Sequence, residues 1–218
     1  MPLDFKSAAA ELGVTLSDEQ VAKLMRLLDE LDDWNQRMNL TAIRVREQQI
    51  TKHLLDSLSV HRFLHGKRIA DVGTGAGFPG LPLALANSDR HFTLIDSVAK
   101  KLRFVDQAVH VMGLNNVVTL HARAESIDLK KLNAPRFDCI VARAIGPIAM
   151  LVKSSGHLLA GGGRLLAMKG KRPDNELRSL PSGWKVADIH RLAIPTLDEE
   201  RHLVEVWRSH DKAVDCRP

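Results

Sequence analysis

Cysteine is almost absent from this 218-residue chain. Cys139 and Cys216 are the only two, so neither a disulfide framework nor a paired metal-ligand spacing is on offer. Long apolar runs are missing too. No stretch reaches the roughly 18 residues a membrane-spanning helix needs. Asp4, Lys6 and Glu11 interrupt the start of the chain, which lacks the apolar core of a signal peptide. There is no internal repeat and no low-complexity tract. These absences predict a soluble, cytoplasmic protein with no membrane or metal partner, in which Asn39-Leu40-Thr41 is no glycosylation site. His61 and His65 stand at i, i+4, but no third ligand or HExxH pattern turns that spacing into a zinc site.

What is present is the composition of a globular domain, 44% hydrophobic and 26% charged, in a chain long enough for one substantial core. The balance of 31 basic and 26 acidic residues gives a net charge of +5, which permits a nucleic-acid partner without demanding one.

Residues 1–65 read as a helical cap. Ser17 with Gln20 forms a capping-box start, and Val21, Leu24, Leu27, Leu28, Leu31, Trp34 and Met38 then recur on one helical face. A second helix is expected from about Glu47 to Leu64, with Ile50, Leu54, Leu58 and Phe63 turned inward. From residue 66 the texture becomes alternating. RIADV, HFTLID, VVTLHA, FDCIVARA and GRLLAMK are near-continuous apolar strands suited to a parallel sheet covered on both faces, with LPLALAN and AKKLRFVDQAVHVMG as crossover helices. Gly113 sits where a helix C-cap is expected. WKVADIHRLAI and HLVEVWR have only PTLDEER between them and are expected to pair antiparallel. The predicted class is α/β: a Rossmann-like, mostly parallel sheet closed by an antiparallel C-terminal strand. Residues 66–218 would form it, with 1–65 as a helical cap in the same compact unit.

Directly after RIADV comes GTGAGFPG. Gly73, Gly75 and Gly77 suit a sharp turn that lets a ligand approach the backbone, and Pro79 suits the first turn of the helix that follows. Gly75, Gly77 and Gly80 also satisfy G-x-G-x-x-G, the dinucleotide fingerprint, so a nicotinamide oxidoreductase is one reading. Asp71 favours the other. A carboxylate at the mouth of the strand can accept from the ammonium of S-adenosylmethionine, whereas it would repel a pyrophosphate; the fingerprint then becomes a coincidence of Gly80 following Pro79. No phosphate-binding lysine follows the loop. Asp96 ends the next strand 19 residues after Gly77, where an acid can take both ribose hydroxyls of either cofactor.

DVGTGAGFPG, LIDSVAKKLRF, KHLLDS, WNQRMNLT and PTLDEERHLV together resemble the bacterial small-subunit ribosomal RNA guanine-N7 methyltransferases, also called the glucose-inhibited division protein B family. The resemblance spans Trp34 to Val204. It implies the class I methyltransferase fold, S-adenosylmethionine as donor, and as acceptor a guanine in the 530 loop of 16S ribosomal RNA (family target position 527), in RNA or in the small subunit. By position the family's cofactor contacts fall on Gly73, Phe78, Ala124, Glu125 and Arg143. The loop's Ala76-Gly77-Phe78 departs from relatives with Pro and Leu there, a change that leaves the backbone cradle intact.

Missing motifs narrow the acceptor. VARAIGP lacks the Asn/Asp-Pro-Pro-aromatic tetrad that goes with amine methylation in resembling enzymes. Cys139 reads as a core residue in a buried strand and Cys216 as part of a tail, so neither is a nucleophile for a pyrimidine ring. Guanine N7 fits: its in-plane lone pair attacks a methyl sulfonium without losing a proton, so positioning carries the catalysis and no catalytic residue is assigned. Arg143, Lys169, Arg201 and His202 are candidates for holding guanine or phosphate. His53 and Asp56, at i and i+3, either bridge the cap to the site or form an ordinary surface pair. Lys100, Lys101 and Arg103, with Lys169, Lys171 and Arg172, form basic clusters near strand ends where ligands bind. A noncatalytic RNA-binding protein on the same fold remains a further reading.

Overall fold

The computed structural model describes residues 3–209; Cys216 lies outside them. Seven strands form one sheet in the order β3-β2-β1-β4-β5-β7-β6. β1 (Arg68–Val72), β2 (His91–Asp96), β3 (Val117–His121), β4 (Phe137–Arg143) and β5 (Leu159–Lys169) run parallel. β7 (His202–Arg208) inserts antiparallel between β5 and β6 (Trp184–Arg191), so the expected antiparallel pair is present. β5 begins four residues before the apolar run that signals it, and β6 stops before Leu192.

Both faces of the central strands are covered, which is why their sequences do not alternate. Ile69, Cys139, Val141 and Leu166 enter one apolar cluster; Ala70, Ile140, Ala142 and Leu165 enter the other. β3 is the edge strand and is less enclosed, with Val118 62% exposed. Burial pushes the Cys139 thiol up to about 12, so it is an inert core residue.

The helical region begins with α1 (Phe5–Glu11) and α2 (Asp18–Met38). Ser17 Oγ accepts from the Gln20 amide at 3.1 Å and Gln20 Oε1 from the Ser17 amide at 2.9 Å, completing the capping box. Leu24, Leu27, Leu28 and Leu31 are wholly buried, and Trp34 meets Phe104 edge-on at 5.9 Å. One apolar cluster includes Phe5 and Leu28 of this region, Leu54 and Leu58, Phe104, and Leu166 of the sheet.

The expected helix from Glu47 to Leu64 is not continuous. It is α3 (Arg46–Gln49), a π-helical turn (Ile50–Leu55), α4 (Asp56–Leu58) and a separate 3-10 turn (His61–Phe63). Every residue from His53 to Val60 is buried. Enclosure on all sides replaces the single inward face that periodicity predicts, and a widened turn of this kind is frequent at functional sites. Beyond the sheet's first strand come α5 (Gly80–Ala86), α6 (Ala99–Met112), α7 (Ile148–Ser155) and the short α8 (Asp174–Leu177). Gly113 closes α6 in the left-handed region at φ 62°, as expected. Pro79 stands immediately before α5 rather than in its first turn.

Candidate active site

The loop between β1 and α5 is held from beneath. Asp71 is fully buried, and its Oδ2 accepts from Thr74 Oγ1 at 2.7 Å and from the Gly80 amide at 2.8 Å. Its Oδ1 is buried without a hydrogen-bond partner. This corrects two expectations. Asp71 staples the loop instead of standing open at the strand mouth, so it offers no accessible carboxylate to an ammonium group. Gly80 is no coincidence: a Cβ there would lie 2.7 Å from Asp71 Oδ2 and 2.8 Å from Leu94 Cγ. The fingerprint match reflects packing of the loop against its own strand. Gly73, Gly75 and Gly77 all have φ between 60° and 82°, which glycine adopts without strain.

A cavity of about 580 Å³ opens at the carboxyl ends of β1, β2 and β3. Of the residues expected to meet the cofactor, Gly73, Asp96, Ala124 and Glu125 line it, while Gly75 and Gly77 do not. Asp96 receives the Gly75 amide on Oδ2 (2.9 Å) and the Val98 amide on Oδ1 (2.8 Å), which aims the carboxylate while leaving lone pairs for a ribose diol. Val98 and Met150, 42% and 55% exposed, give the rim an apolar surface that an adenine ring would cover. The volume lies within the roughly 300–1,000 Å³ usual for ligand sites. A nucleoside-bearing cofactor therefore fits these residues. Phe78 and Arg143 do not line this cavity: Phe78 is 4% exposed and gives its face to His53.

A second cavity, of about 470 Å³, adjoins the first across residues 143–145. Arg143 and Ala144 line it, while Ile145 faces the first. All six residues expected to handle substrate, His53, Asp56, Arg143, Lys169, Arg201 and His202, meet here. The fold draws them from the π-helical turn, α4, β4, β5, β7 and, for Arg201, the residue just before β7. The surface-pair reading of His53 and Asp56 fails, because both side chains are buried.

Cap residues that sequence reasoning passed over hold this wall. Asn35 donates to the Thr41 carbonyl (2.9 Å) and accepts the Thr41 amide (3.0 Å). Thr41 Oγ1 in turn bonds His53 Nε2 at 3.0 Å, and the His53 ring stacks on Phe78 with centroids 4.6 Å apart. Arg143 Nη1 donates to the Lys52 carbonyl (2.8 Å) and to Asp56 Oδ2 (2.9 Å), with its guanidinium over Phe78. Arg201 Nε lies 3.3 Å from Asp56 Oδ1, and Glu199 takes both Arg201 Nη2 (2.9 Å) and Lys52 Nζ (2.6 Å). Lys169 pairs with Glu176 at 2.7 Å, and His202 Nδ1 meets the Gly170 carbonyl at 2.9 Å. Thr51 and Thr196 hydroxyls join at 3.0 Å. Thus WNQRMNLT, KHLLDS, the glycine loop and PTLDEERHLV become neighbours. Only the presence of these stretches was legible in sequence; Thr41, Lys52 and Glu199 gain their roles from contacts across the fold. His61 and His65 diverge, His61 to Asn87 and His65 to Glu205.

Two titrations within this wall oppose each other. Burial, reinforced by the Arg143 charge, pushes His53 down from 6.5 to about 4, so its imidazole is neutral at pH 7. The unfolded chain takes that proton first. His53's contribution is therefore complete above pH 6.5 and is lost as pH falls through 4. Burial raises Asp71 from 3.8 to about 6 against the hydrogen bonds from Thr74 and Gly80. Its contribution is complete below pH 3.8 and is lost as pH rises through 6. His53→Gln removes one side of this balance. Between pH 7 and 4.5 the variant should gain about 2 kcal/mol relative to the parent in urea unfolding; parallel pH profiles would refute the neutral-histidine assignment.

The comparisons with known proteins agree with this geometry. A family model described as rRNA small subunit methyltransferase G matches residues 20–204. A protein of that name from Methylococcus capsulatus is 47% identical over 197 residues, covering 90% of this chain and 94% of the relative. Its namesake from Cronobacter sakazakii is 42% identical over 194 residues, covering 89% and 92%. Among solved structures, M. capricolum TrmK in complex with S-adenosyl-homocysteine superposes with a TM-score of 0.57 at 16% identity, covering 70% of this chain and 67% of that one. A SAM-dependent methyltransferase from Aquifex aeolicus gives 0.54 at 18% identity, covering 73% and 92%. At such identities the structures speak for the fold alone, a class I methyltransferase fold, while the relatives match nearly from end to end. The chain belongs to the ribosomal RNA small subunit methyltransferase G family.

Proposed function

We propose that this enzyme transfers a methyl group from S-adenosylmethionine to N7 of a guanine in the 530 loop of 16S ribosomal RNA, with the cap (1–65) and the sheet domain (66–218) acting as one unit. The observation that carries this reading is the meeting of all six expected substrate residues in one cavity, across residues 143–145 from the nucleoside groove. Family membership removes the nicotinamide reading, and it makes ribosomal RNA the substrate class. No helix among the described residues is long and apolar enough to cross a membrane.

When bound, S-adenosylmethionine supplies a methyl group on a sulfonium. The chain's part is placement. Asp96 orients a ribose through its free lone pairs, and Ala124 and Glu125 border the place of the adenine edge. Gly73 lets the backbone come close: a Cβ there would lie 2.5 Å from Ile145 Cδ1, on the partition between the cavities. Arg143, fixed by Asp56 and the Lys52 carbonyl, holds positive charge beside that partition. It can donate to guanine O6 or a phosphate, whereas a donor on N7 itself would block attack. N7 gives up no proton, so the neutral His53 acts as a packing piece between cap and loop and not as a base. Incubation with labelled S-adenosylmethionine and either naked 16S RNA or small subunits, followed by borohydride–aniline cleavage, tests the reading. A new cut at the target guanine is expected. Its absence with both substrates, while the cofactor binds, would exclude guanine-N7 transfer and leave the noncatalytic RNA-binding reading.

A further inference from the structure

The cations of the two cavities differ in their partners. Around the second cavity, positive and negative groups alternate in a chain, Arg143–Asp56–Arg201–Glu199–Lys52, and Lys169 is matched by Glu176. These groups largely neutralise one another and fix the wall. The first cavity is different. Lys101 from α6, Arg123 from the loop after β3 and Lys153 from α7 all line it. None of the three has a carboxylate within 4.0 Å among the described residues. Nor does any of their side chains hydrogen-bond to another of the described residues. Arg123 and Lys153 are exposed and Lys101 is half-buried.

The donor does not explain them. S-adenosylmethionine carries a sulfonium and an ammonium against one carboxylate, so its net charge is positive and one cation suffices to meet its only anion. Asp96 and Glu125 also line that groove, and Asp96 already accepts two backbone amides. The three unmatched cations, from three separate elements, outnumber these carboxylates and leave a surplus suited to a second ligand of negative charge. We propose that Lys101, Arg123 and Lys153 form a phosphate track on which the substrate RNA backbone crosses the rim of the donor groove, delivering the target base across residues 143–145. This rests on the RNA reading above and reassigns the electrostatic contact with RNA from Lys169 and Arg201 to the opposite cavity. Contacts of this kind supply affinity and register without reading sequence.

The test replaces Lys101, Arg123 and Lys153 with glutamine, singly and together, in the full chain. A control, Lys130→Gln with Lys131→Gln, lowers net charge at two exposed lysines away from both cavities. RNA binding is followed from about 50 to 200 mM salt, and S-adenosylmethionine affinity by calorimetry. Each single variant should raise KM for RNA several-fold with kcat near the parent. The triple variant should flatten the slope of log affinity against log salt by about 2, at roughly 0.7 for each contact to a single strand. Cofactor affinity should stay within a factor of three. An unchanged slope in the triple variant, an equal change in the control, or a tenfold loss of cofactor affinity would each overturn the track. A parent enzyme that binds cofactor yet neither binds nor methylates RNA would instead sink the RNA reading, and the track with it.

Discussion

Arg143→Met is expected to lower the unfolding free energy by about 3–5 kcal/mol and to abolish methyl transfer. Asp56 is 4% exposed at its side chain and Arg143 20%, so their 2.9 Å pair is shielded from water. Deleting the guanidinium leaves the buried Asp56 carboxylate with Arg201 Nε alone, at 3.3 Å, and breaking a buried pair by removing one partner costs more than the pair was ever worth. The Lys52 carbonyl loses its donor as well. For a chain of this size the loss corresponds to a fall in Tm of about 10 °C, read by calorimetry. Asp56→Leu in the same chain should restore more than half of that stability, since Arg201 keeps Glu199 as a partner at 2.9 Å. Activity should not return. A single variant destabilised by less than about 1 kcal/mol would mean that the pair behaves as a surface bridge.

Gly80→Ala should cost about 3 kcal/mol and weaken S-adenosylmethionine at least tenfold. The added methyl meets Asp71 Oδ2 at 2.7 Å and Leu94 Cγ at 2.8 Å, and both atoms are enclosed. Neither can yield cheaply in a close-packed interior. Displacing Asp71 would free the Gly80 amide and the Thr74 hydroxyl together, and the glycine loop would lose its anchor. Gly113→Ala makes the comparison: its Cβ would meet nothing within 4 Å, so only backbone strain at φ 62° is paid. Equal cofactor affinity in Gly80→Ala and the parent would show that the staple does not set the loop.

Much of the fold was legible because its signals are local. The strands announce themselves by short apolar runs bounded by breakers, and β1, β2 and β7 begin and end where those runs do. Ser17 and Gln20 mark the start of α2 within four residues of chain. The segment after Glu47 was misread for the converse reason. Periodicity assumes one buried face, and a helix enclosed on every side carries no such stripe. Asp71 shows the same limit at the site. Its place beside the glycines suggested a ligand contact, yet which way a carboxylate turns depends on the amides it can reach, and Gly80 is nine residues away.

By itself the sequence determined the alternating sheet, the capping of its helices, the glycine turn and the presence of the family's characteristic stretches. Each of these follows from residues near one another in the chain. Only tertiary structure decided that Asn35, Thr41, His53 and Phe78 form a single line of contacts, and that Arg143, Asp56 and Arg201 share their charges. It also decided which cations remain unmatched, since burial and ion pairing depend on what the sheet and cap bring together across the whole fold.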